Sequence, residues 1–524
     1  MGVGDRAAGQ VRLAELLATL SLAADLGLGQ PMEHLARSCL IAVRLAERMG
    51  LDEVDLEVVY QLSLLAWVGC TADSHELAAL FGDDLEFRAG VYDHDLGPTT
   101  MFDYVLARAG SGGSAEHRAR VVAELTADGG RTIGQAMATH CQVTGQLAAR
   151  LGLGGRLSRC LAQTFTRWDG CGIPDGVGGA DVDIATRLVQ LADLVEVLHR
   201  RGGVAAALEV ARRRSGTSLD PALVAELTRA GPEVLGGLPA ESGWDELLAA
   251  DPAPRPLTDD ELDSVLEAMA DFVDLKSPFF AGHSRGVADL AAAAARRTGH
   301  PADDVRTVRR AGLVHDLGRT GVPNTIWDKP GPLTGVERER VELHSYYTDR
   351  MLRNVPALAD ARLVAALTHE RLDGSGYHRG VTAAGIPATA RLLAAADCYH
   401  ALVEPRPPRP ACPPDSAAAQ LRAAGRAGRL DVVAVEAVLG AAGHRARRPA
   451  GGPAGLTPRE VEVLVRVARA ASTRVIARDL GITPKTAGNH IERIYLKIGA
   501  NTRAAAALFA MQHGLLRTLE PIDS

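Results

Sequence analysis

Aromatic residues are scarce in this chain. Phe, Trp and Tyr together make up 4% of its 524 residues, although 47% are hydrophobic. A core drawn mainly from Ala, Leu and Val points to helices packed through small side chains. Cysteine is also sparse. The seven cysteines (Cys39, Cys70, Cys141, Cys160, Cys171, Cys398 and Cys412) contain no CxxC pair, which argues against a disulfide scaffold and for a reducing compartment. The first residues lack the charged-then-apolar pattern of a secretion signal. No stretch approaches 18 uninterrupted apolar residues, so no membrane span is expected. A cytoplasmic protein with no membrane partner is the resulting expectation. The net charge of -7 excludes a polyanion binder over the whole surface, so any nucleic-acid face must be local.

What is present is helical. Apolar residues recur at three- and four-residue spacing from residue 10 onwards, and the length allows two to four domains. Composition divides the chain into a helical domain over 1–230, a linker over 231–257 rich in Gly and Pro, and a second helical domain over 258–410. A helical piece with a flexible basic linker follows over 411–455, and a compact unit covers 456–524.

Histidine and aspartate concentrate in the second helical domain. AGLVHDLGRTGVP at 311–323, LTHERLDGSGYHRG at 367–380 and ADCYHAL at 396–402 place such residues in apolar, helical-looking sequence. They are costly to bury unless paired or bound to a metal. His283, His315, Asp316, His344, His369 and Asp397 are imidazole and carboxylate donors, suited to Mn, Fe, Zn or Mg. His315 and Asp316 are expected on one buried helix, with Asp316 bridging two ions. A metal pair of this kind activates a water for displacement at phosphorus. Arg319, one turn on, could face a phosphate bidentately.

These words, in this order and spacing, resemble the HD-GYP subgroup of the HD phosphohydrolase superfamily over roughly 270–405. The resemblance implies an all-α fold, a binuclear or larger site of divalent metal held by the six residues above, and hydrolysis of a cyclic dinucleotide such as cyclic di-GMP. Asp316 and Arg319 are then the catalytic candidates. Four positions depart from the family pattern. Thr368-His369-Glu370 stands for His-His-Glu, His378 for the Pro of Gly-Tyr-Pro, Arg319 for Lys, and His400 for the second Asp of DxxDA.

The chain also contains a repeat. GSGYHRGVTAAGIPATARLLAAADCYHAL at 374–402 parallels GCGIPDGVGGADVDIATRLVQLADLVEVL at 170–198. An offset of 249 pairs His34 with His283. An offset of 204 pairs His140 with His344 and Asp193 with Asp397. The first copy thus carries about 45 extra residues between the two segments. His315, Asp316 and His369 correspond to Ala66, Trp67 and Phe165. A site that loses three ligands to apolar residues fills with apolar bulk, so residues 1–230 read as a degenerate HD-type copy serving binding or dimerisation.

The last unit is of another kind. Over 456–516, nine Lys and Arg against four acids give +5, leaving -12 for the rest of a chain of net -7. Thr457, Pro458 and Glu460 form a capping box with a proline start. Thr483 and Pro484 open a second helix after a turn at Gly481, a helix-turn-helix layout. Lys485, Thr486, Asn489, Arg493 and Lys497 are the candidates for reading or holding double-stranded DNA. LTPRE, IARDLGITPKTAGNHI and KIGANTRAAAALFA resemble the LuxR-type helix-turn-helix, which implies a four-helix domain, usually dimeric on DNA, with a recognition helix near Pro484–Ile498.

Two functions fit these features. The leading expectation is a homodimeric transcription regulator whose HD-GYP-like region senses a ligand or metal. The alternative is a metal-dependent phosphodiesterase for a cyclic dinucleotide, coupled to DNA binding.

Overall fold

The computed structural model describes residues 10–94, 97–238, 243–443 and 453–516. Among these the chain is all-α, with isolated β-bridges and no strand. It divides into two compact units, Met1–Leu262 and Asp263–Ser524.

The first unit is built on helices Leu13–Gly27, His34–Arg48, Glu53–Leu65, Arg131–Arg150 and Ile184–Arg214. Helix starts follow from capping chemistry: Asp52 accepts from Asp55 N, and Asp183 from Ala185 N. The extra residues of this copy form four helices between Ser74 and Asp128, which bury their own cluster of Leu77, Phe81, Phe87, Tyr104 and Val121. The segment Glu53–Thr71 is apolar and long enough by composition to cross a membrane, but most of it is buried inside the unit.

Residues 231–257 are not a free linker. Helix Pro221–Leu235 runs into this stretch, and helix Trp244–Ala249 buries Leu247 and Leu248. Tyr60 Oη donates to Leu247 O at 3.2 Å, and Leu13 N donates to Arg255 O at 2.8 Å. Proline and glycine there end helices, while the paired leucines tie the segment into the core. Residues 239–242 lie outside the described residues.

The second unit repeats the plan with helices His283–Arg297, Ala302–Val314, Gly335–Leu352, Ala359–Ala366 and Ala388–Val403. The boundary expected at 410 falls too early. Helices Pro414–Arg426 and Val432–Ala442 pack on His283–Arg297 and Ala388–Val403, burying Ala417, Leu421, Val435 and Val438. The proline run at 405–414 reverses the chain through a tight Arg406–Arg409 turn without ending the domain. Residues 444–452 lie outside the described residues.

Three glycines fix the frame. A Cβ at Gly312 would strike Ala288 Cα, so this glycine lets the helices carrying His283 and His315 cross closely. A Cβ at Gly318 would strike the His344 carbonyl, and one at Gly69 would strike that of His140. The same close approach, at equivalent positions, brings the His344 and His140 helices up to their partners.

The final unit has helices Pro458–Ala468, Thr473–Asp479, Pro484–Ile498 and Arg503–Gln512. Thr457 and Glu460 make the capping box, Thr483 accepts from Thr486 N, and Gly481 takes φ 63° at the turn.

Candidate metal centre

All six residues picked out as ligands converge, and five of them are at least 95% buried. They come from separate elements. His283 opens its helix behind Gly282, which has left-handed φ. His315 is the C-cap of Ala302–Val314, and Asp316 starts the tight turn Leu317–Gly321. The expectation that this dipeptide lies within one helix is therefore corrected. The helix ends between the two residues, and that break turns both side chains into one centre. His344 and Asp397 lie on Gly335–Leu352 and Ala388–Val403, and His369 follows Ala359–Ala366.

The donors sort into two groups around Asp316. His283, His315 and Asp397 form one, and Asp316, His344 and His369 the other, each with its ligand atoms within 4.8 Å of one another. Asp316 Oδ2 lies 2.9 Å from His315 Nε2 and 3.5 Å from His283 Nε2. Its Oδ1 lies 3.4 Å from His344 Nε2 and 3.9 Å from His369 Nε2. Asp397 spans the same divide, with Oδ1 3.3 Å from His283 Nε2 and Oδ2 3.5 Å from His369 Nδ1.

Hydrogen bonds on the far side of each ring set the tautomers. His315 Nδ1 donates to Gly312 O at 2.8 Å, His344 Nδ1 to Val341 O, and His283 Nδ1 to Glu404 Oε2 at 2.9 Å. Each leaves an Nε2 lone pair facing inwards, as metal-bound histidines require. His283 Nε2, His315 Nε2 and Asp316 Oδ1 are buried with no hydrogen-bond partner, while Asp316 Oδ2 is ion-paired with Arg319. Such orphaned acceptors are expensive unless a cation satisfies them. The donor set fits a divalent metal. Burial raises the Asp316 carboxyl, but Arg319 and His315 outweigh it and hold the group well below the usual range. Burial likewise works against Asp397, and His283 and His315 overturn it. Burial pushes His369 down to about 4, which keeps its ring neutral.

Thr368 offers the centre no donor in place of the usual histidine. Its hydroxyl donates to Ala365 O at 2.9 Å. Arg319 Nη2 lies 2.5 Å from Asp316 Oδ2, and its guanidinium sits 4.1 Å from the Phe280 ring centroid. Arg319 Nε and Nη1 are buried without partners. A cavity of about 700 Å³ opens over the centre. Arg319, Lys329, Arg371, Arg406, Arg409 and Arg429 line it beside His369 and Asp397, with Trp327 and Tyr377 as apolar walls. Tyr377 stacks on His369 at 5.0 Å.

Sequence reasoning missed several of these groups. Glu404 and Arg406 sit in the proline run. Asp274 accepts from Ser284 N and Oγ beneath His283. The 249 offset, applied to every acid, pairs Asp274 with Asp25, which accepts from Leu35 N at 2.9 Å.

The N-terminal copy has the same positions differently filled. Trp67, His140 and Phe165 form one aromatic group with ring centroids 4.9–6.0 Å apart. His140 Nε2 contacts Ala66 O at 2.6 Å, and burial lowers its pKa to about 4. His34 Nε2 lies 3.0 Å from Asp193, and Tyr92 Oη from the additional helices donates to the same oxygen at 3.2 Å.

On helix Pro484–Ile498, Lys485, Asn489 and Arg493 are exposed and Thr486 is half-buried, opposite the buried Ala487 and Ile494. Lys497, also exposed, has partners within the unit. Its Nζ is held by Glu460 Oε2 at 2.7 Å and Gly455 O at 3.1 Å, so the capping-box acid competes for its charge.

The chain is similar to known proteins over most of its length. Over 412 residues the chain is 31% identical to the 3'3'-cGAMP-specific phosphodiesterase 3 of Vibrio cholerae, covering 78% of this chain and 90% of that protein. The chain belongs to the HD-GYP family. Residues 267–432 match the HD domain model, and residues 454–510 match that of bacterial regulatory proteins of the luxR family. The crystal structure of a V. cholerae cyclic GMP-AMP specific phosphodiesterase, V-cGAP3, superposes with a TM-score of 0.59 at 27% identity, covering 84% of this chain and 99% of that one. The cyclic di-GMP phosphodiesterase response regulator RpfG of Xanthomonas campestris is 35% identical over 153 residues, 29% of this chain and 40% of that protein. In this HD-GYP chain the luxR-family match follows the HD domain match.

Proposed function

We propose that this chain is a metal-dependent phosphodiesterase that opens a cyclic dinucleotide of the 3'3'-cGAMP kind, joined to a DNA-binding output. One observation carries the reading: Asp316 turns one carboxylate oxygen to each of two ligand groups, directly below a cavity lined by six cationic side chains. The breadth of similarity to a 3'3'-cGAMP-specific enzyme, spanning both copies, favours that substrate class over sensing alone. Mn, Fe or Zn, as a pair, would be held by His283, His315 and Asp397 on one side and His344 and His369 on the other, with Asp316 between. Bound there, the metals supply an activated water and a charge clamp for in-line displacement at phosphorus. The free N–H groups of Arg319 hold a phosphate oxygen, and the remaining cations offset the second phosphate. Water adds to phosphorus, the P–O bond to the ribose breaks, the departing ribose oxygen takes up the proton that the water gives up, and the ring opens to a linear dinucleotide.

The purified chain, loaded with Mn or Fe, is expected to linearise 3'3'-cGAMP, with the product resolved by chromatography. A metal-loaded chain that cleaves neither 3'3'-cGAMP nor cyclic di-GMP would leave sensing as the function. Thr368, which withholds one donor, favours that second reading. Fewer than about 0.2 metal ions per chain would sink both.

At the far end, Lys485, Thr486, Asn489 and Arg493 enter the major groove of DNA as part of a cytoplasmic homodimer. Lys485→Ala is expected to weaken promoter binding and lower the salt slope by about one. Binding measured on the full chain across a salt series checks this.

A further inference from the structure

The two copies support their first histidine from different positions. In the N-terminal copy His34 Nδ1 lies 2.5 Å from Glu196 Oε2, and Glu196 follows Asp193 by one turn on the same helix. Arg37 Nε donates to the other oxygen of Glu196 at 2.7 Å, and Arg200 Nε does so at 3.3 Å. In the C-terminal copy the equivalents of Arg37, Glu196 and Arg200 are Gly286, His400 and Glu404. The carboxylate has left position 400 and reappears one turn later.

The structure shows the consequence. Glu404 is the C-cap of helix Ala388–Val403, where the backbone turns extended at φ -97° and ψ 146° before Pro405. Its Oε2 accepts from His283 Nδ1 at 2.9 Å and from Arg406 Nη2 at 2.9 Å. Its Oε1 lies 3.0 Å from His400 Nδ1. Gly286 is needed for this arrangement, because a Cβ there would collide with the His400 ring. Three positions have therefore changed together, and the contact to the first histidine is kept.

We infer that Glu404 is the positioning residue for His283 and has taken over the carboxylate task that position 400 performs in the other copy. It accepts the Nδ1 proton, so the Nε2 lone pair faces Asp316 and Asp397. Carboxylates behind metal-bound histidines fix ring orientation and raise ligand basicity. Arg406 and His400 hold Glu404 in place from the other side. The departure at His400 is thus compensated within the chain rather than lost.

This inference rests on the metal reading of the same centre, so its test uses Mn(II) affinity of the full chain, measured by competition with a chelator. Glu404→Ala and Glu404→Gln are expected to bind about ten- to a hundredfold more weakly than the parent. His400→Glu in the Glu404→Ala background restores the carboxylate to the position of Glu196 and is expected to recover most of the lost affinity. If Glu404→Ala fails to fold by circular dichroism, Glu404→Gln and the double variant carry the comparison. Parent-like affinity in the single variants overturns the inference, as does a double variant no better than Glu404→Ala. A parent chain that binds no Mn(II) would instead overturn the proposed function.

Discussion

In the C-terminal copy Asp316 faces two ligand groups, while in the N-terminal copy its counterpart Trp67 packs against His140 and Phe165. The two share a frame: a histidine opening a helix after a left-handed residue, Glu33 at φ 75° or Gly282 at φ 79°, a buried aspartate nine residues before that histidine, and a glycine pressed on a carbonyl. What differs is how the vacated donor volume is occupied. Aromatic rings take the place of two ligands and Ala66 of the third, and the additional helices send in Tyr92 to satisfy Asp193. A polar centre at the heart of a helical domain is costly unless it binds something, so a copy freed from binding is expected to exchange it for apolar packing.

The comparison can be broken most sharply at position 316. Asp316→Ala is expected to lose bound metal and to slow dinucleotide cleavage by about a thousandfold or more, whereas Trp67→Ala leaves metal content unchanged. Metal analysis and product assays on both variants decide this, and an Asp316→Ala chain with full metal content would refute the bridging role. Trp67→Ala should instead cost stability, about 3 kcal/mol, because it opens a void beside Phe165 and His140. Denaturant unfolding reads that loss, and a variant as stable as the parent would show that the aromatic group is not what fills the N-terminal copy.

A smaller contrast lies in the retained histidines. His344→Ala is expected to empty one of the two ligand groups and weaken metal binding about ten- to a hundredfold, while His140→Ala changes no metal property. Equal effects of the two variants on metal affinity would place a metal in both copies.

The smallest effect concerns what the copies share. Burial raises the Asp25 carboxyl from 3.8 to about 7, against the opposing pull of His34. The folded chain therefore holds this proton between about pH 4 and pH 7, where the unfolded chain has lost it. Stability contributed by the group falls as pH rises through that window. Asp25→Asn keeps an acceptor for Leu35 N–H and removes the titration. The variant should gain stability over the parent as pH rises from 4 to 8. Melting curves of both at the two pH values test this, and parallel curves would show that Asp25 does not titrate in the window.

Much of this was legible in residue spacing. Equal intervals in two segments were enough to pair Ala66, Trp67 and Phe165 with His315, Asp316 and His369. Alternation of caps, turn glycine and proline starts was enough to bound the recognition helix at Pro484–Ile498, because local backbone chemistry sets those limits. The linker at 231–257 misled, since helix-breaking residues reveal where a helix ends and not whether the chain beyond it is packed. The ion pair of Lys497 was also out of reach of the sequence, because Glu460, beside it in the fold, is 37 residues away along the chain.

The sequence alone thus determined the helical class, the matched intervals of the two segments, the six candidate ligands and the LuxR-type unit, because each is written in periodicity or in residue types at fixed spacing. Only the tertiary structure decided which oxygen of Asp316 faces which histidines, that aromatic rings occupy the vacated positions, and that Glu404 rather than residue 400 stands behind His283. Those facts depend on how separate helices meet, and a carboxylate seven residues beyond Asp397 reaches the ring of His283 only when the helix ends where it does.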